Sequence, residues 1–129
     1  MTRDQVIFLA DDLHDLSESL AKDGFLDQAN IFATHEQRLR ARLTREAAWS
    51  AWRTDQKTAI KAKNACMAVE HLFGHSVDLG EIGPDLVIAS RQAWREAATC
   101  AARAWEAYQE AKAAEGLGRL IGSSSEAAT

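Results

Sequence analysis

From His35 to Phe73 the chain contains neither glycine nor proline, and its small apolar residues return at intervals of three and four. That pattern admits one local structure, the α-helix. Unbroken, a helix of about 39 residues spans roughly 58 Å at 1.5 Å per residue. A compact domain of 129 residues has a radius of gyration of only about 14 Å. Either the helix breaks, near Thr44 or Asp55, or the molecule is elongated. The elongated reading is preferred.

A second row of small residues follows downstream. Ala93, Ala97, Cys100, Ala104, Ala107, Ala111 and Ala114 alternate four and three apart, and Trp94 and Trp105 stand just beside them. The middle stretch has a matching seam in Ala48, Ala51, Asp55, Thr58, Ala62, Ala65, Val69 and Leu72. Small residues at heptad spacing let two helices approach toward the lower end of the usual 8–10 Å separation. The connecting segment "GHSVDLGEIGPD" is short beside either helix, so the two are expected to fold back antiparallel. With Phe73 facing Pro84, Trp52 falls level with Trp105, Trp49 with Tyr108, Arg45 with Lys112 and Arg42 with Glu115. The aromatics beside the seam are then expected to fill the groove against a third element, the N-terminal helix.

That first helix is clearly signalled. Thr2 and Gln5 have capping-box spacing, and Val6, Leu9, Leu13, Leu16 and Leu20 repeat three-four. Gly24 suits the residue just past its end, with Phe25 as the accompanying apolar contact. Residues 26–33 read as a short helix or turn. Thr34 and Gln37 repeat the capping-box spacing, which puts a new helix start near His35. Pro84 marks a first helical turn, and the last long helix is expected to run to Glu115, ahead of Gly116. Residues 1–121 read as one helical domain and 122–129 as a disordered tail. The fold class is all-α: a long antiparallel hairpin with an N-terminal helix packed on it, a three- to four-helix bundle.

Composition narrows the function classes. Hydrophobic and charged fractions of 47% and 26% suit a globular chain with a core of its own. No apolar run approaches the roughly 20 residues that cross a membrane, and "MTRDQ" does not open a secretory leader; a cytoplasmic location is expected. Arg outnumbers Lys ten to five, and with abundant Ala this fits a GC-rich bacterial or phage accessory gene. Cys66 and Cys100 both lie in helical patterns beside alanines and are read as buried thiols acting as small apolar groups. Two cysteines cannot make a structural zinc site.

The charge pattern supplies the strongest candidate site. Net charge is −4, yet residues 25–73 carry eight basic against five acidic side chains, between two acidic ends. Arg38, Arg42 and Arg45 share one helical face, and Arg53, Lys57 and Lys61 continue at four-residue spacing. Such a stripe can track phosphates, which makes a nucleic-acid-binding accessory subunit the competing class. Against it stand a pI of about 5.5 and the acids that the hairpin brings near; nucleic-acid-binding domains are usually basic overall. A solvated or self-paired face is preferred.

Asp11 and His14 at i, i+3, and Glu70, His71 and His75, are the nearest approach to metal-ligand spacing. A di-iron bundle needs Glu-x-x-His on two helices, and none occurs, so no metal and no cofactor is implied. No nucleophile elbow, phosphate loop or dinucleotide fingerprint is present, and the chain reads as non-enzymatic. Phe32, Ile60, Met67, Leu117, Leu120 and Ile121 lie off the seam, and Leu72 ends it. They are candidates for an exposed apolar stripe, the mark of a partner site, unless residues 25–33 and the tail cover it. The expected function is protein–protein interaction as an adaptor, assembly subunit or inhibitor that self-associates, with a protein partner, itself, or less favourably nucleic acid, and no membrane.

Overall fold

The computed structural model describes the backbone of residues 1–75 and 83–127 and the side chains of residues 1–73 and 83–117. Among the described residues three helices occur in order: α1 (Arg3–Lys22), α2 (Leu26–His75) and α3 (Pro84–Ala127). They pack as an all-α bundle, α1 on α2 and α2 on α3.

The helix ends follow from local chemistry. Thr2 and Gln5 form the expected capping box: the Gln5 backbone N–H donates to the Thr2 hydroxyl at 3.2 Å, and the Thr2 N–H to Gln5 Oε1 at 2.8 Å. At the other end Gly24 takes φ +87°, where a side chain would be strained. The Phe25 N–H then reaches the Leu20 carbonyl at 2.9 Å and the Gly24 N–H the Ala21 carbonyl at 3.2 Å, the paired bonds of a Schellman turn. Pro84 opens α3 as its residue type suggests.

Two boundaries differ from the sequence reading. α2 starts at Leu26, not near His35, and has no break at Thr44 or Asp55. Thr34 caps nothing; its hydroxyl donates to the Asn30 carbonyl at 2.8 Å, as Thr44 does to Arg40, Thr54 to Ser50 and Thr58 to Thr54. Mid-helix threonines satisfy themselves this way, so the capping-box spacing at Thr34 had a second solution. Ion pairs one turn apart, Glu36–Arg40 at 2.7 Å and Arg42–Glu46 at 2.9 Å, support the helix through its most charged part. α3 likewise passes Gly116 and continues to Ala127. A glycine inside a helix costs about 1 kcal/mol, too little to stop one.

The chain divides into two compact units, Met1–Ala48 with Tyr108–Thr129, and Trp49–Ala107. In the first, α1 and the start of α2 run antiparallel. Ser17 donates to the Ala29 carbonyl at 2.9 Å, His14 meets Glu36 at 3.2 Å, and Arg40 meets Asp11 at 3.0 Å. Val6, Ala10 and Ala29 are buried there. The contact line of α1 is Val6, Ala10, Leu13, Ser17 and Leu20, not the expected Val6, Leu9, Leu13, Leu16, Leu20. Leu9 and Leu16 remain substantially exposed. The closeness needed for the Ser17–Ala29 hydrogen bond explains the choice, because small residues at the contact let the two backbones approach.

Among the described residues the second unit is formed by α2 and α3, and they are antiparallel: Trp52 stacks obliquely on Trp105 with ring centroids 4.8 Å apart, while Glu70 pairs with Arg91. The expected Trp52–Trp105 level is therefore present. The seam is again displaced at alternate positions. It runs through Trp52, Asp55, Ala59, Ala62, Cys66 and Val69 on α2, and through Val87, Ser90, Ala97, Ala101 and Ala104 on α3. Half of each alanine row expected at the interface thus lies on an open flank. Cys100 goes with it: Cys66 is buried, but Cys100 is exposed, one residue off the line from Ala97 through Ala101 to Ala104.

Candidate interaction surfaces

The basic stripe divides between the units. In the first, Arg42 is paired with Glu46, and Arg45 with Glu115, a carboxylate that is only 6% exposed. Arg45 was expected opposite Lys112 and Arg42 opposite Glu115. Helical side chains lean toward their own N-terminus. In an antiparallel pair Arg45 and Glu115 therefore lean toward each other across about one turn. Arg38, half-buried, lines a small cleft of about 210 Å³ with Leu39, Arg42 and Glu115. In the second unit Arg53, Lys57 and Lys61 are exposed, with no ion pair among the described residues.

The candidate apolar residues are separated in the same manner. Phe32 is half-buried and Leu117 exposed in the first unit. In the second, Ile60 and Met67 are 50% and 55% exposed on one flank of α2, and Leu72 is exposed on the other. The side chains of Leu120 and Ile121 lie outside the described residues. Residues 26–33 are the opening turns of α2 and form no separate covering segment.

One flank of the second unit holds an open groove of about 370 Å³. Its α2 wall is Trp52, Gln56 and Ala59, and its α3 wall is Ala98, Ala101, Ala102 and Trp105. Trp49 extends the aromatic end, its ring 5.0 Å from that of Trp52. The aromatics were expected to pack against α1; α1 belongs to the first unit, and Trp105 is 41% exposed. On the same flank, one and two heptads beyond Gln56, stand Lys63 and Glu70. Arg91 and Arg95 precede Ala98 and Ala102 by seven residues. Glu70 and Arg91 meet at 2.5 Å, and the hydrogen bond that the guanidinium donates to that carboxylate, then the carboxylate's charge, raises the Arg91 pKa.

The opposite flank is different in kind. Ala51, Thr58, Ala65 and Leu72 on α2 and Leu86, Ala93, Cys100 and Ala107 on α3 are all exposed. Apart from the two leucines, this flank carries only small side chains. The charges beside it, Lys61, Glu96 and Arg103, have both signs.

The polar cluster between α1 and α2 is structural in its geometry. His14 lies between Glu18 at 3.1 Å and Glu36 at 3.2 Å. Its pKa is raised above the ordinary 6.5, chiefly by the hydrogen bond to Glu36 and then by that carboxylate's charge. Glu36 is held below its ordinary 4.5, first by the Arg40 hydrogen bond. Among the described residues no group of three or more His, Cys, Asp and Glu is placed to hold a metal ion, and no helix is long and apolar enough to cross a membrane. The His75 side chain lies outside them. No family model, curated protein or solved structure matches this chain.

Proposed function

We propose that this protein is a non-enzymatic protein–protein interaction module that associates with a second copy of itself. The observation carrying this reading is that, among the described residues, the second unit is a pair of helices. A helix pair buries one stripe of each partner, and here exposed apolar side chains remain on both sides of that stripe, Ile60 and Met67 on one flank and Ala65, Leu72, Ala93 and Ala107 on the other. Exposed apolar surface of this extent marks partner sites. The small-residue flank suits a second copy, because short side chains permit close helix packing and the mixed charges around it present no single-sign field. Replacing Ala65 and Ala93 together with Glu is expected to convert a dimer to a monomer in size-exclusion chromatography with light scattering, leaving helicity unchanged. A wild-type protein that is already monomeric removes self-association from the reading.

A nucleic-acid-binding accessory role is the second reading, supported by Arg53, Lys57 and Lys61, which are exposed and form no ion pair among the described residues. It requires binding that weakens steeply with salt. Negligible retention of labelled single- and double-stranded oligonucleotides at low salt, alike for wild type and an Arg53/Lys57/Lys61 triple alanine variant, eliminates it.

A further inference from the structure

We infer that the groove between Trp52 and Trp105 receives an acidic amphipathic helix from a partner protein. This rests on the reading of the chain as an interaction module and names the partner's chemistry.

Shape is the first argument. The floor is built from Ala59, Ala98, Ala101 and Ala102, so a third helix can approach the pair closely, and only Gln56 brings a polar side chain to the lining. Trp52 and Trp105 close one end with indole faces. A concave apolar channel between two helices is the receptor form of helix-in-groove recognition, read by anchors at i, i+3, i+4 and i+7.

Charge decides the kind of helix. The positions flanking the seam on this side carry Arg53, Lys63, Arg91 and Arg95 against one acid, Glu70, which is already paired with Arg91. Arg53, Lys63 and Arg95 have no ion pair among the described residues. A basic rim on a chain of net charge −4 is a local reversal of sign. It speeds and orients the approach of an acidic partner while penalising a basic one. Ile60 and Met67, exposed between Arg53 and Lys63 and beyond Lys63 on the same wall, extend the apolar contact, and Met suits a surface that adapts to its ligand.

The probes are two fluorescein-labelled three-heptad peptides, both with Leu at the a and d positions, one with Glu and the other with Lys elsewhere. Each is titrated into the full chain by fluorescence anisotropy. The Glu peptide is expected to bind at least tenfold more tightly than the Lys peptide, to weaken with salt and to quench tryptophan emission. Ala98→Glu and Ala102→Glu are each expected to weaken it at least tenfold. Should either disturb folding by circular dichroism, Lys63→Ala with Arg95→Ala, both at exposed positions, is expected to weaken it by a similar factor. Lys61→Ala, on the opposite flank, is expected to change it less than twofold. Equal binding of the two peptides, no binding of the Glu peptide, or indifference to the groove substitutions overturns the inference. Displacement of the Glu peptide by a single-stranded oligonucleotide that binds the same rim more tightly also overturns it, in favour of nucleic acid. Light scattering on the same samples reads self-association separately, so either proposal can fail without the other.

Discussion

The two units of this chain solve one problem with different means. In the first, three helix segments meet, and polar groups join the apolar ones at the contacts: Arg40 links Glu36 and Asp11, and Arg45 meets the nearly buried Glu115. In the second, two helices meet along alanines, a buried cysteine and tryptophans. Buried charges tie down geometry but add little net stability, whereas small apolar residues allow close packing and leave much apolar surface uncovered. Large apolar side chains stay exposed in both units, among them Phe8, Leu26 and Ile31 in the first and Ile60, Met67 and Trp105 in the second, so the contrast lies in what closes the contacts.

Substitutions can break that contrast, the largest effect coming first. Glu115→Ala removes one partner of an ion pair while Arg45 stays about two-thirds covered. A loss of about 2–3 kcal/mol is expected in denaturant melts, below the full cost of breaking a completely buried pair. A change under about 0.5 kcal/mol would mean that the pair is replaceable by water. In the second unit Trp52→Ala is expected to cost about 2 kcal/mol and the more exposed Trp105→Ala about 1 kcal/mol, less than the 3–5 kcal/mol of a fully buried aromatic. Equal, larger losses at both positions would show that the groove is covered in the free protein. At the N-cap, Thr2→Ala is expected to lower stability by about 1 kcal/mol, with hydrogen exchange rising first in the opening turn of α1.

The smallest effect depends on pH. A histidine whose folded pKa lies above its ordinary 6.5 stabilises fully below that value, and the contribution is lost as pH rises through the folded pKa. Glu36, held below 4.5, acts inversely: its contribution is complete above 4.5 and lost as pH falls through the lowered value. Docking of α1 on α2 should be firmest between about pH 4.5 and 6.5. His14→Gln should flatten the alkaline side of that profile only. An unchanged profile in amide exchange of α1 would detach His14 from docking.

Helix type, the caps at Thr2 and Gly24, the start at Pro84 and the Trp52–Trp105 level were all legible in the residues, because each is a local signal or follows from the hairpin turn. The inward line of each helix was not. Three-four spacing defines a strip about two positions wide, and Ala10 against Leu9, or Ala101 against Cys100, is decided by how closely the facing backbone approaches. For the same reason the alanine rows looked like an interface while half of their residues form an open flank. The basic stripe was legible as a row, but the pairing of Arg42 and Arg45, which Arg53, Lys57 and Lys61 lack among the described residues, depends on where Glu46 and Glu115 fall.

The mass of the protein in solution tests most directly whether the second unit's small-residue flank is the contact surface proposed for it. Light scattering across a chromatographic peak, repeated over a range of loading concentrations, should give twice the chain mass and fall to one chain mass for the Ala65→Glu, Ala93→Glu variant. A single-chain mass for the wild type at every concentration would contradict it.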